Sequence, residues 1–402
     1  LKPLWLKLLV TVAFGKFQAE SKSHALLAAA SPSHCHCQPD HLRLLPRRQH
    51  VDYMASSGAV FCASQAVQGV AVAVFLYEGF AYNMIFLRRI LPAVGKQAFV
   101  VPFAIIFNLV WVMAMWSYVA AYTADPGKVP QRWQDFVRTV GEALPVAPAR
   151  PEWQPGKATY CKKCDVPRPE RAHHCLICEF CVLRMDHHCP WINNCVGFKN
   201  HKFFILLGVY ACVASLTGLV TSVPELVRWA IAAVRLEDGF ADDDGKRTVE
   251  IADVFVFVIF GLLALFVAVL LILMLATHLP LATQNLTTIE DNYENMPNPF
   301  DQGSTAANLA QIFGAYGPDW CLPIEPWRPL SDGVSFTRSD ERLGPDGLPE
   351  QSTMDAGGSN MSTGVERLWR ARYKVRSPGA MIESVVDHGP FLSLARWWTG
   401  TT

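Results

Sequence analysis

Seven of the twelve cysteines lie between Cys161 and Phe204, in the pattern C-x2-C-x9-H-C-x2-C-x2-C-x4-D-H-H-C-x5-C-x4-N-x3-F. Close cysteine pairs with interleaved histidines are the donor set of tetrahedral zinc sites. Two closed sites consume eight ligands and leave no open coordination position, so six cysteines and two histidines would fill both. One cysteine is then spare. Cys189 is the natural candidate, because Asp186-His187-His188-Cys189 sets a carboxylate and an imidazole beside its thiol. A thiolate beside a base is a nucleophile. The competing reading makes all seven cysteines structural, as in a zinc ribbon that binds partners. His173 and His201 have no slot in the ligand count and are expected to be solvated or hydrogen-bonded.

Such a module needs a reducing compartment and a support. Of the 402 residues 51% are hydrophobic and 17% charged, the composition of a membrane protein. Lys and Arg total 35 against 35 Asp and Glu, so net charge gives no ground for a nucleic-acid partner. Apolar runs long enough to cross a bilayer occupy roughly 58–76, 98–118, 205–223 and 254–275, with Trp111, Trp116, Tyr118 and Tyr122 as interfacial anchors. A loop holding Arg88, Arg89 and Lys96 closes the first two. The cysteine-rich stretch is therefore an insert between spans two and three. Twelve Lys and Arg lie between Thr123 and Lys202, against three in the loop between spans one and two and three in the loop from Arg235 to Glu250. This bias puts the insert and both termini in the cytosol, where thiolates also survive. The predicted fold class is an all-α membrane protein: four transmembrane helices with a cytosolic zinc-bound cysteine-rich domain inserted between helices 2 and 3.

The predicted organisation runs as follows: 1–53, an N-terminal segment with a short apolar run (Leu4 to Phe14) on which no function rests; 54–122, helices 1 and 2; 123–204, the cysteine-rich domain; 205–279, helices 3 and 4; 280–336, cytosolic motifs; 337–402, a largely disordered tail. Within these, Trp133 to Leu144 reads as an amphipathic helix on the membrane surface. Arg367, Arg370, Arg372, Lys374 and Arg376, interleaved with Trp369 and Tyr373, read either as a contact with anionic lipid or as a solvated helix. The acidic run Asp242, Asp243, Asp244 reads as a solvated turn in a lumenal loop.

The 161–204 stretch resembles the cysteine-rich domain of the DHHC protein S-acyltransferases (palmitoyltransferases), at every cysteine and histidine of the pattern. Asp125-Pro126-Gly127 after span two resembles that family's Asp-Pro-Gly motif, and Thr287-Thr288-Ile289-Glu290 after span four its Thr-Thr-x-Glu motif. Asn308 and Phe313 match its C-terminal packing motif. Trp320 to Ile324 and Ser331 to Phe336 are similar to the branch holding fungal vacuolar and animal Golgi or plasma-membrane members. By resemblance, one zinc would take Cys161, Cys164, His174 and Cys181, and a second Cys175, Cys178, His188 and Cys195. Cys189 would be the acylated nucleophile, His187 its base and Asp186 the orienter, with Thr288 hydrogen-bonded to Asp186.

The resemblance further implies transfer of a long-chain acyl group from acyl-CoA to protein cysteines at the cytosolic membrane face, through an acyl-cysteine intermediate. Expected partners are acyl-CoA (palmitoyl-CoA), substrate proteins with cysteines near the cytosolic membrane surface, and the lipid bilayer, with no nucleic acid. The two zinc ions are structural, and the location is an endomembrane (Golgi, ER or vacuole). Pro190 and Trp191 are expected to shape the acyl side of the site, and Lys199 and Lys202 to meet CoA phosphates. On span three, Gly208, Ala211, Ser215 and Gly218 recur at helical steps. Close helix packing explains them; room for a fatty chain is the sharper reading, with Ala214 and Ser215 at the end of the acyl cavity. The alternative function is a non-catalytic zinc-binding membrane scaffold.

Overall fold

The computed structural model describes residues 47–147, 156–235, 249–293, 297–339 and 364–375. Four helical segments are long and apolar enough to cross a membrane: Ala63–Ala93, Gln97–Thr123, His201–Trp229 and Ile251–Thr283. The first belongs to α1 (Arg47–Phe80), which continues through a wider π-helical stretch (Ala81–Ile90) to Ala93. Helix therefore includes Arg88 and Arg89, which the sequence reading had placed in the loop. α2 is Val100–Thr123, α4 is His201–Arg235 and α5 is Ile251–Thr283. Their far ends share an aromatic core of Tyr82, Phe86, Phe107, Phe257 and Phe260. There Arg89 pairs with Asp253 at 2.7 Å and Lys96 with Glu225 at 2.6 Å. Asn83 and Asn108 exchange amide hydrogen bonds at 3.0 and 2.8 Å, so Asn108 joins spans one and two.

The insert between α2 and α4 holds α3 (Gln131–Val140) and seven short strands: β1 (Val146–Ala147), β2 (Ala158–Cys161), β3 (Val166–Arg168), β4 (His173–His174), β5 (Cys181–Val182), β6 (His187–Cys189) and β7 (Asn194–Val196). They form a three-stranded sheet, β1 parallel and β3 antiparallel to β2, and two antiparallel pairs, β4 with β5 and β6 with β7. After α5 the chain turns back over this module, through α6 (Thr305–Phe313) and finally α7 (Gly364–Arg372).

α3 is amphipathic as expected, but protein covers its apolar face. Trp133 and Phe136 are buried against Trp369 and Tyr373 of the α7 region, and Trp133 Nε1 donates to the Pro167 carbonyl at 2.9 Å. Amphipathicity fixes that a face will be covered, not what covers it. The same contacts correct the tail: within 337–402 the segment Gly364–Arg372 is a helix docked on the module, with Trp369 and Tyr373 buried rather than turned to lipid or water. Residues 1–46 and the acidic run at 242–244 lie outside the described residues.

Candidate active site

Strand alternation decides where each side chain of the Asp186 to Cys189 run points. β6 pairs with β7 in the register His187 with Val196, His188 with Cys195 and Cys189 with Asn194. Successive side chains of a strand face opposite ways, so His188 and Cys195 share one face while His187 and Cys189 share the other. The connecting turn closes with Asn193 N–H donating to the Pro190 carbonyl and puts Asn193 in the left-handed region, which asparagine tolerates.

The His188 face completes a metal-type cluster. His188 Nδ1 lies 3.7, 3.4 and 3.6 Å from Cys175, Cys178 and Cys195 Sγ, and the Cys178 and Cys195 sulfurs are 3.5 Å apart. The other cluster repeats this: His174 Nδ1 is 3.6, 3.2 and 3.9 Å from Cys161, Cys164 and Cys181, with Cys164 and Cys181 at 3.7 Å. Four donors held at about 2.0–2.3 Å around one ion are about 3.4–3.8 Å apart, so both sets fit tetrahedral Zn²⁺. In each, the second backbone N–H of the cysteine pair points at the first sulfur (Cys164 to Cys161, Cys178 to Cys175), and a left-handed residue follows, Asp165 or Glu179.

The opposite face meets the membrane bundle. Cys189 is buried among Tyr118, Ile192, Phe203 and Phe204. His187 Nδ1 is 2.6 Å from Asp186 Oδ2, and the imidazole lies on the same strand face as Cys189. Burial would push the His187 imidazolium down, but the hydrogen-bonded Asp186 carboxylate and the Cys189 sulfur near the ring lift it to about 10. Burial likewise would raise Asp186, yet the bond and charge of His187 hold its carboxylate below the usual range. A basic imidazole touching a buried thiol can take its proton and hold the resulting anion.

Polar contacts seat this hairpin on the helices. Tyr118 Oη donates to the Trp191 carbonyl, Ser64 Oγ to Asn193 Oδ1, and the Asn194 amide to the carbonyls of Ala121, Tyr122 and Ala124 at the end of α2. From beyond α5, Thr288 N–H donates to Asp186 Oδ1 at 2.8 Å and Thr288 Oγ1 to the Asp186 carbonyl at 2.5 Å. Glu290 forms a bidentate pair with Arg171 at 2.6 and 2.8 Å, both side chains buried. Arg171 is stacked over Phe300 and also donates to the Asn285 carbonyl.

Comparison with known proteins agrees with this geometry. A family model described as DHHC palmitoyltransferase matches residues 154–295. Palmitoyltransferase ZDHHC20-A of Danio rerio is 30% identical over 313 residues, 70% of this chain and 81% of the relative. The chain belongs to the DHHC palmitoyltransferase family. Palmitoyltransferase ZDHHC20 of Mus musculus is 30% identical over 65% of this chain and 74% of its own length. Probable protein S-acyltransferase 13 of Arabidopsis thaliana is 28% identical over 58% and 78%. With its four candidate spans, this DHHC family member is a multi-pass membrane protein.

The structure brings all eight expected ligands into two groups and Cys189, His187, Asp186 and Thr288 into a third. Thr288 meets Asp186 through two atoms: its backbone N–H reaches the carboxylate and its hydroxyl the main-chain carbonyl. Trp191 is 42% exposed beside the site. Ala214 and Ser215 are buried within the bundle. On the same helix a side chain at Gly208 would collide with Met274 of α5, and one at Gly218 would press on Phe260, so close packing explains those two positions. Lys202 is not available to a phosphate: it is buried, 3.7 Å from buried Asp319. Lys199 stands half-exposed, 3.5 Å from Asp125. His201 is buried against Arg184 Nη1 at 2.9 Å, a structural role. Sequence reasoning missed His278, whose Nδ1 is 3.5 Å from Asp186 Oδ2. An ionisable side chain in an otherwise apolar span was the available signal.

Proposed function

We propose that this DHHC family member is a protein S-acyltransferase that works through an acyl-Cys189 intermediate. The observation that carries the proposal is a buried thiol on the same strand face as an imidazole that a buried carboxylate fixes at 2.6 Å, at the boundary of the module and the bundle. His187 takes the Cys189 proton as sulfur attacks the acyl-CoA carbonyl. The carbon–sulfur bond to CoA breaks and CoA leaves with the proton from His187. In the second half the substrate cysteine gives its proton to His187, its sulfur attacks the acyl carbon, and Cys189 leaves and is reprotonated. Exchange between two thioesters is nearly balanced, so no Lewis acid is required.

Two structural Zn²⁺ ions fit the eight donors and would fix the hairpin geometry. The acyl donor is a long-chain acyl-CoA, and the acceptors are proteins with cysteines near the cytosolic membrane surface. Charge bias supports cytosolic termini, and an endomembrane is the proposed location. Purified protein given labelled palmitoyl-CoA should take up one hydroxylamine-sensitive label, lost in Cys189→Ser while metal analysis still finds two zinc per chain. Loss of a zinc in that variant would overturn the ligand assignment. Absence of label from the unmodified protein would favour a scaffold.

A further inference from the structure

Asp186 is approached by a second imidazole. His278, in the last turns of α5, has Nδ1 3.5 Å from the same Oδ2 that bonds His187 at 2.6 Å. Its ring lies 5.2 Å from the His187 ring and packs edge-on to Phe204 at 5.0 Å, while Phe204 also packs edge-on to His187. The three donors do not make a third metal centre. A separation of 2.6 Å is a hydrogen bond and is shorter than the donor separations of 3.2 to 3.9 Å found in the two cysteine–histidine clusters. Thus β6, the turn after α5 and α5 itself converge on one buried carboxylate: Thr288 N–H holds Oδ1, His187 holds Oδ2, and His278 faces Oδ2 from the membrane helix.

We infer that His278 is a positioning residue for acyl transfer, fixing Asp186 from the membrane bundle so that His187 keeps its orientation through both proton transfers. This rests on Cys189 as the acylated nucleophile. His187 packs between Phe204 of α4 and His278 of α5, so the alignment of the base depends on both helices. Removing a donor that acts on a buried ionic pair should slow the reaction rather than weaken acyl-CoA binding.

The test is single-turnover acylation of the full-length protein by labelled palmitoyl-CoA, with zinc content and thermal midpoint measured alongside. His278→Phe keeps the ring packing and removes the donor; it should lower the acylation rate about tenfold, about 1.4 kcal/mol of barrier, with KM for palmitoyl-CoA unchanged and two zinc retained. His278→Asn restores a short donor and should recover to within about threefold. A His278→Phe rate equal to the unmodified protein overturns the inference, as does an Asn variant as slow as Phe. If Phe loses zinc, His278→Gln against His278→Leu gives the same contrast. Failure of the unmodified protein to acquire label on Cys189 would sink the underlying reading instead.

Discussion

Ala172-His173-His174-Cys175 and Asp186-His187-His188-Cys189 are two versions of one motif, fourteen positions apart. Around each, the ligands recur at the same intervals: Cys161, Cys164, His174 and Cys181 against Cys175, Cys178, His188 and Cys195. The second histidine of each motif sits in its own cluster. What differs is on the other strand face. In the first copy alanine replaces the carboxylate, and the cysteine belongs to the neighbouring cluster. Burial, helped by Arg168, pushes His173 down to about 3, so it is a neutral ring; at His187 the Asp186 carboxylate and the nearby Cys189 sulfur outweigh burial and lift it to about 10. One strand pattern therefore yields an anchor or a reactive group, according to whether a carboxylate and an uncommitted thiol are supplied.

Making the second copy resemble the first is the largest perturbation. Asp186→Ala should slow acylation on the order of 10²–10⁴-fold, as expected for a base deprived of its orienter, with both zinc ions retained in metal analysis. The reverse change, Ala172→Asp, should place no label on Cys175, because that sulfur is already packed into the neighbouring cluster. A labelled Cys175 would undo the comparison.

The next change concerns what each copy does for the fold. Arg171, the residue before Ala172, pairs with Glu290 where the second copy has Met185. Breaking a buried pair leaves an uncompensated charge, so Arg171→Met should destabilise by about 3–5 kcal/mol, measured by denaturant unfolding in detergent, and adding Glu290→Gln should recover part of it. Burial alone would raise the Glu290 carboxyl, but Arg171 outweighs it and the pKa is lowered. A carboxyl depressed by folding contributes stability above its unfolded value, about 4.3, and that contribution is lost as pH falls through the folded one. The double variant should accordingly lose less stability on acidification than the unmodified protein.

Thr288→Ala sharpens the account of the second copy at smaller scale. It removes the hydroxyl bond to the Asp186 carbonyl but leaves the N–H on the carboxylate. The expected cost is about 1 kcal/mol, a slowing of roughly fivefold, zinc unchanged; a loss as large as that of Asp186→Ala would mean the hydroxyl bears on the carboxylate after all. Smallest is the effect on chain length. If the bundle beside Cys189 holds the acyl chain, each buried CH2 adds about 0.8 kcal/mol. Ala214→Phe or Ser215→Phe should then shift preference from about 16–18 carbons towards about 14 in competition between acyl-CoAs. An unchanged preference in both would assign that face to helix packing.

The spans and the ligands were legible because both are written locally, as apolar length and as short cysteine intervals. Contacts that cross the chain were not. Glu290 could be matched to a motif, but its partner Arg171 lies 119 residues away, and only the fold joins them. Thr288 was readable as a residue and not as atoms, since a motif does not say whether hydroxyl or backbone does the bonding. His278 was one polar letter in an apolar helix. The apolar face of α3 was visible in the sequence, and its cover, Trp369 and Tyr373, was more than two hundred residues downstream.

The buried pair of Arg171 with Glu290 also sets an order of events during synthesis. When a ribosome has completed all seven cysteines of the module, the carboxylate that neutralises Arg171 and the amide that holds Asp186 are still untranslated, and α4 and α5 must enter the membrane first. All eight clustered cysteine and histidine donors are present at this stage, but the amide that fixes the Asp186 carboxylate is not. The alignment of Asp186 therefore waits until the segment past α5 has emerged and folded back over the module.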